Sequence, residues 1–351
     1  MTSKHAVTRL LGRRRGLALS AALTTAALAL TGCGSSADAG SASSKTINLV
    51  AYSTPQTAFK SIEAAFAKTK AGKGVTFKES YGPSGDQSRA VAGGQPADFV
   101  NFSLEGDVTR LVDGGLVADD WNAGEHKGIV ADSVVVIVVR KGNPKHITGW
   151  DDLVKPGVDI VTPNPASSGG ARWNTLAAYG HVLAEGGTED QAKDYLTKFF
   201  QHAVSLPGSA RDALTSFTSG NGDALISYEN EAILARQNDQ DVDYIVPDQT
   251  LLIETPAAVT KDAPATAKSF LDFLWTPEAQ EDFVKSGYRP VVDGVSTSGV
   301  EGANDPSNPY PTPAKLLTIA GDFGGWPAAQ KKFFDDGGIV PTIQEETGKT
   351  E

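Results

Sequence analysis

From residue 46 to residue 275 the chain alternates between short apolar runs and amphipathic stretches, and few folds accommodate that rhythm. Residues 46–52 read as a first strand, and beyond Gln56 the residues Phe59, Ile62, Ala65 and Phe66 fall on one helical face. Residues 75–79 alternate like a second strand, residues 81–87 read as a turn, and a helix is expected over 88–93. A third strand is read at 97–102, ahead of a helix carrying Val108, Leu111 and Val112. Strands joined through helices pair in parallel, with helices covering both faces. The run Ser133-Val134-Val135-Val136-Ile137-Val138-Val139-Arg140 is the most apolar strand candidate, and Lys141-Gly142-Asn143-Pro144 breaks it. After a short helix at Trp150, a second series follows. It comprises a strand at 158–161, helices at 173–185 and 189–201, a strand at 203–206, a helix at 211–219, a strand at 224–227, a helix at 229–236 and a strand at 244–246. Residues 251–259 then return to a helix with Phe270, Leu271 and Leu274 on its apolar side. The pattern implies an α/β fold of two lobes, each a mainly parallel sheet flanked by helices, with the 134–139 strand crossing between them.

The first residues carry a different message. Lys4, Arg9, Arg13, Arg14 and Arg15 precede an apolar run, 17–30, that is short for a membrane span. The run ends at Leu30-Thr31-Gly32-Cys33, which looks like a bacterial lipobox. The reading is therefore a lipoprotein signal peptide over 1–32, a lipid on the Cys33 sulfur and a flexible tether over 33–45 rich in Ser, Ala and Gly. The triple arginine is also compatible with a twin-arginine export route. Removing 1–32 takes away five positive charges and no negative ones, which moves the formal charge from −11 to −16. Such an acidic chain is a poor partner for nucleic acid. Cys33 is the single cysteine, so disulfides and a thiol nucleophile are excluded from the folded part.

The stretch Thr162-Pro163-Asn164-Pro165-Ala166-Ser167-Ser168-Gly169-Gly170-Ala171-Arg172-Trp173-Asn174 concentrates the chemistry. Two prolines hold an extended approach, and two serines and two glycines then open a helix. Helix-start N–H groups lack internal partners, the dipole favours negative charge, and glycines admit a ligand close to the backbone. An ordinary strand-to-helix connection with a serine cap carries the same residue types and binds nothing. No Gly-Lys-Ser/Thr follows, so the run is not a P-loop. A comparable turn, Ser84-Gly85, lies beyond the second strand of the first lobe. Ligands in open α/β sheets sit beyond the carboxyl ends of strands, which is where both turns fall.

These residues are similar to those of the sulfate-binding proteins of sulfate/thiosulfate ABC transporters. The resemblance runs over roughly 47–338. It is carried by the 162–178 stretch and by Val139 to Pro144, Tyr228-Glu229-Asn230-Glu231, Tyr288-Arg289-Pro290 and Phe323-Gly324-Gly325-Trp326. It implies a type II periplasmic-binding-protein fold that closes on a dehydrated anion held by neutral donors. The residues implied as ligands are Ser53, Ser84, Gly169, Gly170 and Ala210 through backbone N–H groups, Ser168 through its hydroxyl, and Tyr228. Two positions depart from the sulfate branch: Ser53 stands where Asp is usual, and Tyr228 where Trp is usual. A phenol can accept as well as donate, whereas an indole only donates.

The resemblance further implies one lobe over 46–137 plus about 252–300, and a second over 138–251 plus about 301–345 with a C-terminal helix. The function implied is an extracytoplasmic receptor, monomeric and without cofactor or resident metal. It would capture sulfate and deliver it to an ABC permease while its lipid holds it to the cell membrane. Thiosulfate or another tetrahedral oxyanion is the alternative ligand. An exported sulfate or phosphate ester hydrolase and an anion sensor for a membrane kinase are the alternative classes. For the hydrolase, Ser168 has no histidine in a suggestive context and there is no Gly-x-Ser-x-Gly elbow. His126, His146, His181 and His202 show no metal-ligand spacing. Arg172 is expected to pair with a carboxylate behind the loop or at the surface, Glu229 and Glu231 to be solvated or paired, and Trp326, Phe333 and Phe334 to pack a C-terminal helix.

Overall fold

A computed structural model describes residues 45–350; the signal segment, Cys33 and the tether through residue 44 lie outside the described residues. No helix among the described residues is long and apolar enough to cross a membrane. Strands β1 (Thr46–Tyr52), β2 (Thr76–Gly82) and β3 (Phe99–Asn101) pair in parallel in the order β2-β1-β3. Helices α1 (Gln56–Phe66), α2 (Ser84–Ala92) and α3 (Glu105–Asp113) follow them in turn. Ile47 and Leu49 of β1 are buried where their neighbours Thr46 and Asn48 are not. They join Phe59, Ile62, Phe66 and Phe99 in an aromatic core, into which a later helix inserts Phe270 5.1 Å from the Phe99 ring.

β4 (Ile129–Arg140) explains the unbroken apolar run. Val134, Val136 and Val138 pack into one core cluster, and Val135, Ile137 and Val139 into another. Both faces of the strand are covered, so no polar alternation is left in its sequence. Beyond β4 come α4 (Trp150–Leu153), β5 (Ile160–Val161), α5 (Gly169–Ala184), α6 (Glu189–His202), β6 (Ala203–Ser205), α7 (Ala210–Thr218), β7 (Ala224–Tyr228), α8 (Glu229–Gln237), β8 (Val242–Ile245) and β9 (Gln249–Val259). β5 pairs in parallel with β6 and β7. β4 and β9 differ from the parallel expectation: β4 is antiparallel to β7, β8 and β9, and β9 is antiparallel to β3. No helix separates β8 from β9, so the two run in line along one edge of β4. The resulting ten-stranded sheet has the path β2-β1-β3-β9-β4-β7-β5-β6, and β4 and β9 are the strands shared by its two ends.

The C-terminal part adds α9 (Ala265–Leu274), α10 (Pro277–Lys285), β10 (Lys315–Leu317), α11 (Ile319–Asp322), α12 (Trp326–Ala329) and α13 (Ile339–Thr347). α12 runs on as a turn of π-helix, Gln330–Phe334. Trp326 meets Trp173 edge-on at 4.7 Å and Phe333 meets Tyr179 at 4.8 Å, so this segment packs against α5 as expected.

The shared strands carry one electrostatic conflict. Asp132 on β4 lies directly opposite Glu254 on β9. Burial first, and then the Glu254 charge, push the Asp132 carboxyl up to about 8, against the opposing pull of Arg289. An unfolded aspartate ionises near 4. Between those values the native chain holds a proton that the unfolded chain has released, so stability is fullest below about pH 4 and is lost as pH rises through about 8. Asp132→Asn should therefore raise the thermal midpoint little at pH 4 and by the equivalent of about 1–3 kcal/mol at pH 9. Melting curves at the two pH values check this, and an equal shift at both would contradict it.

Candidate functional site

One small cavity lies where the carboxyl ends of strands meet the starts of three helices. It is small, with about 10 Å³ open to a water-sized group. From the β1–β3 side it is lined by Tyr52, Ser53, Pro83, Ser84 and Ser103, and from the β5–β7 side by Ser168, Gly169, Gly170, Ser209, Ala210 and Tyr228. Every position that the sequence reading named for a ligand therefore borders the same space.

Local sequence accounts for each donor. Ser168 caps α5, its Oγ accepting the Ala171 N–H at 3.4 Å, which leaves its own proton free to donate. Gly169 and Gly170 are then the first helical residues, and their N–H groups have no acceptor within the helix. The first turn of α5 also carries no acidic side chain to neutralise the dipole. The periodicity placed the helix start at Trp173, four residues late, because glycine and serine interrupt an apolar pattern without interrupting a helix. The same effect delayed the α2 start, which is Ser84 and not Ser88. The Ser84 hydroxyl is already engaged: it donates to Asp107 Oδ2 at 2.6 Å and accepts the Ser103 N–H at 2.9 Å. What remains for a ligand is the Ser84 N–H. Likewise Ser209 caps α7, donating to Asp212 Oδ2 at 2.7 Å and accepting the Asp212 N–H, so Ala210 contributes only backbone.

No charged side chain lines the cavity. Arg172 does not pair with a carboxylate, contrary to expectation. Its Nε donates to the Pro165 carbonyl at 3.1 Å and its Nη1 to Gln330 Oε1 at 2.6 Å, and its guanidinium lies over the Phe334 ring. It therefore fixes the loop to the π-helical turn. Glu229 and Glu231, in the first turn of α8, are fully buried and paired rather than solvated. Arg289 grips Glu229 at 2.7 and 3.1 Å, and Arg211 grips Glu231 at 2.8 Å through two nitrogens. Burial pushes the Tyr228 hydroxyl well above its ordinary range and the Tyr52 hydroxyl up to about 12, so both stay neutral at working pH. Among the described residues no cluster of His, Cys, Asp or Glu is arranged to hold a metal ion.

The two sides touch each other around the cavity. Gly85 N–H donates to the Ser167 carbonyl at 3.2 Å. Trp173 Nε1 donates to the Ser103 carbonyl at 2.9 Å, and the Ser103 and Tyr228 hydroxyls are 2.6 Å apart. Arg211 Nη2 reaches the Thr54 carbonyl at 3.1 Å. Ser103, Tyr52 and Ser209 escaped the sequence reading. Ser103 sits just past the carboxyl end of a strand, the same positional signal that drew attention to Ser84, but without a glycine beside it.

The Bacterial extracellular solute-binding protein family model matches residues 47–289. A sulfate-binding protein of Synechococcus elongatus is 42% identical, the alignment covering 95% of this chain and 97% of that protein. A thiosulfate-binding protein of Pseudomonas aeruginosa is 33% identical over 92% of this chain and 97% of its own. Among solved structures, the sulfate-binding protein SubI from Mycobacterium tuberculosis H37Rv superposes with a TM-score of 0.78 at 43% identity, covering 83% of this chain and 99% of that one.

Proposed function

This chain belongs to the bacterial extracellular solute-binding protein family, and from that premise we propose that it is the sulfate receptor of an ABC transporter. The observation that carries the choice of ligand is the wall of the cavity: neutral donors converge on one small space, and no charged side chain shares it. Sulfate at neutral pH offers acceptors on every oxygen and no proton. Each helix start presents about half a positive charge, and at contact range that outweighs surface charge screened over roughly 8–10 Å. An acidic protein can thereby hold a dianion. Hydrogen phosphate is disfavoured because its proton needs an acceptor: facing the backbone N–H groups it would be an unsatisfied buried group costing about 1–3 kcal/mol, and hydroxyl oxygens are the side-chain acceptors in the wall.

The ligands in this reading are the N–H groups of Ser53, Ser84, Gly169, Gly170 and Ala210 together with the hydroxyls of Ser168 and Tyr228. The protein binds and does not turn over: the cavity wall holds no carboxylate, lysine or histidine to act as a base for Ser168. The lobes of this proposal are 46–137 with about 252–300, and 138–251 with about 301–345. They hinge on β4 and β9 and close across the Gly85–Ser167 and Ser103–Tyr228 contacts. A permease would read the surface that closure creates, and a lipid on Cys33 would hold the receptor at the outer face of the membrane.

Calorimetry with sulfate, thiosulfate, molybdate and hydrogen phosphate tests the reading. Sulfate should bind at least tenfold more tightly than hydrogen phosphate. Tighter thiosulfate than sulfate binding would move the chain to the ligand named for its Pseudomonas relative, and absence of sulfate binding would overturn the proposal.

A further inference from the structure

The sulfate reading makes a ligand of the Tyr228 hydroxyl and leaves unexplained the serine hydroxyl paired with it at the edge of the cavity. Ser103 comes from the end of β3 and Tyr228 from the end of β7, on opposite sides of the site, and both residues line it. Both are fully buried, with Ser103 Oγ and Tyr228 Oη 2.6 Å apart. They also lie against the anion-binding loop. A Cβ on Gly169 would stand 2.5 Å from Ser103 Oγ, and one on Gly170 3.2 Å from Tyr228 Cε1. On the far side, Trp173 Nε1 approaches Ser103 Oγ at 3.2 Å while donating to the Ser103 carbonyl.

Counting protons decides what this pair can do. Two hydroxyls carry two protons, and a hydrogen bond between them uses one. The other has no assigned acceptor. Trp173 is a donor only, so it cannot receive that proton; it biases Ser103 Oγ to accept, and so to turn its own hydrogen elsewhere. Both residues line the cavity, where a bound oxyanion would supply the acceptor. We infer that Ser103 and Tyr228 act as one shared hydroxyl donor to the bound oxyanion, with Ser103 a ligand-binding residue in its own right. The inference rests on the sulfate reading and names a component of that same site. It also gives a physical account of how a tyrosine serves where the resemblance expects an indole: the phenol works through a serine partner.

The shared proton makes an unusual pattern of substitution effects. In Ser103→Ala the tyrosine hydroxyl loses its partner and turns to the anion; in Tyr228→Phe the serine hydroxyl does so. Each single variant keeps one donor, and its sulfate affinity should fall by no more than about threefold. The double variant keeps none, and should fall about 10- to 100-fold, the usual range for losing a hydrogen bond to a charged group. A pair that served only to fasten the two sides together would behave oppositely, because either single change already breaks the fastening, and the double would then weaken binding no more than the singles. Sulfate calorimetry on the wild type, both singles and the double, with melting curves to show that each is folded, measures the cycle. Synergy in the double supports the shared donor. Singles equal to the double overturn it while leaving the sulfate reading intact. A wild-type protein that binds no sulfate overturns the sulfate reading and this inference with it.

Discussion

Gly169→Asp abolishes sulfate binding, with a loss expected to exceed about 1000-fold by calorimetry. Two effects combine. The first is steric: any Cβ at this position stands 2.5 Å from Ser103 Oγ, 2.6 Å from Ser103 Cβ and 3.0 Å from Leu104 Cγ, closer than real contacts allow. Gly169 sits on the β5–β7 side and Ser103 on the β1–β3 side, so the clash forces apart the surfaces that enclose the ligand. The second is electrostatic. A carboxylate about 4 Å from a dianion, at an effective dielectric constant near 20, repels it by roughly 8 kcal/mol. Gly169→Ala separates the two, since it keeps the clash and omits the charge, and should retain weak binding. The helix itself should survive, because alanine and aspartate are both tolerated in a first helical turn. Unchanged affinity in the aspartate variant would remove this loop from the site.

Arg289→Met should lower stability by about 3–5 kcal/mol, the usual cost of stripping one partner from a buried ion pair. For a chain of this size that is on the order of 10 °C in thermal midpoint. Glu229 has no exposed surface, and burial already raises its pKa against the pull of Arg289. Without the guanidinium the pKa rises further, and at neutral pH the native state must either bury an uncompensated charge or take up a proton that the unfolded state lacks. A raised carboxyl contributes most below its unfolded value and loses that contribution as pH rises through its folded value. The variant should therefore recover much of the lost midpoint on acidification toward pH 4–5, and Glu229→Gln combined with Arg289→Met should remove the part of that pH dependence that Glu229 contributes, leaving the part from Asp132, which Arg289 also faces. A single variant equally destabilised at every pH would show that the loss comes from packing on Tyr310 and the Pro311 contact instead.

Much of the fold is legible in the residues. The strands β1, β4 and β7 and the helices α1, α6 and α9 are where apolar periodicity places them, since their large side chains mark the buried face continuously. The antiparallel pairings of β4 and β9 are not legible, because a buried strand has the same composition whichever way its neighbour runs. α10 was also missed: only two residues separate it from α9, the second being its Thr276 cap, too few for apolar periodicity to resolve two helices. The candidate site was largely visible from its glycines and serines at strand ends. Ser103 was not, because its role depends on Tyr228, more than a hundred residues away, arriving 2.6 Å from it.

The donors around the cavity are mostly main-chain N–H groups, with Ser84 and Ser209 hydroxyls spent on carboxylates behind it. Recognition of this kind is nearly invisible to genetics. An alanine scan leaves amides untouched, and Ala210 is alanine already. Only proline deletes an amide hydrogen, and it does so at little structural cost at a first helical position such as Ala210, though not at Gly169, where its Cβ would meet Ser103. Apart from Gly169 and Gly170, where a Cβ would crowd Ser103 or Tyr228, the side chains at these positions are consequently free to drift over evolutionary time within the limits of size. The ligand preference would persist through that drift, inscribed in where three helices begin rather than in which residues begin them.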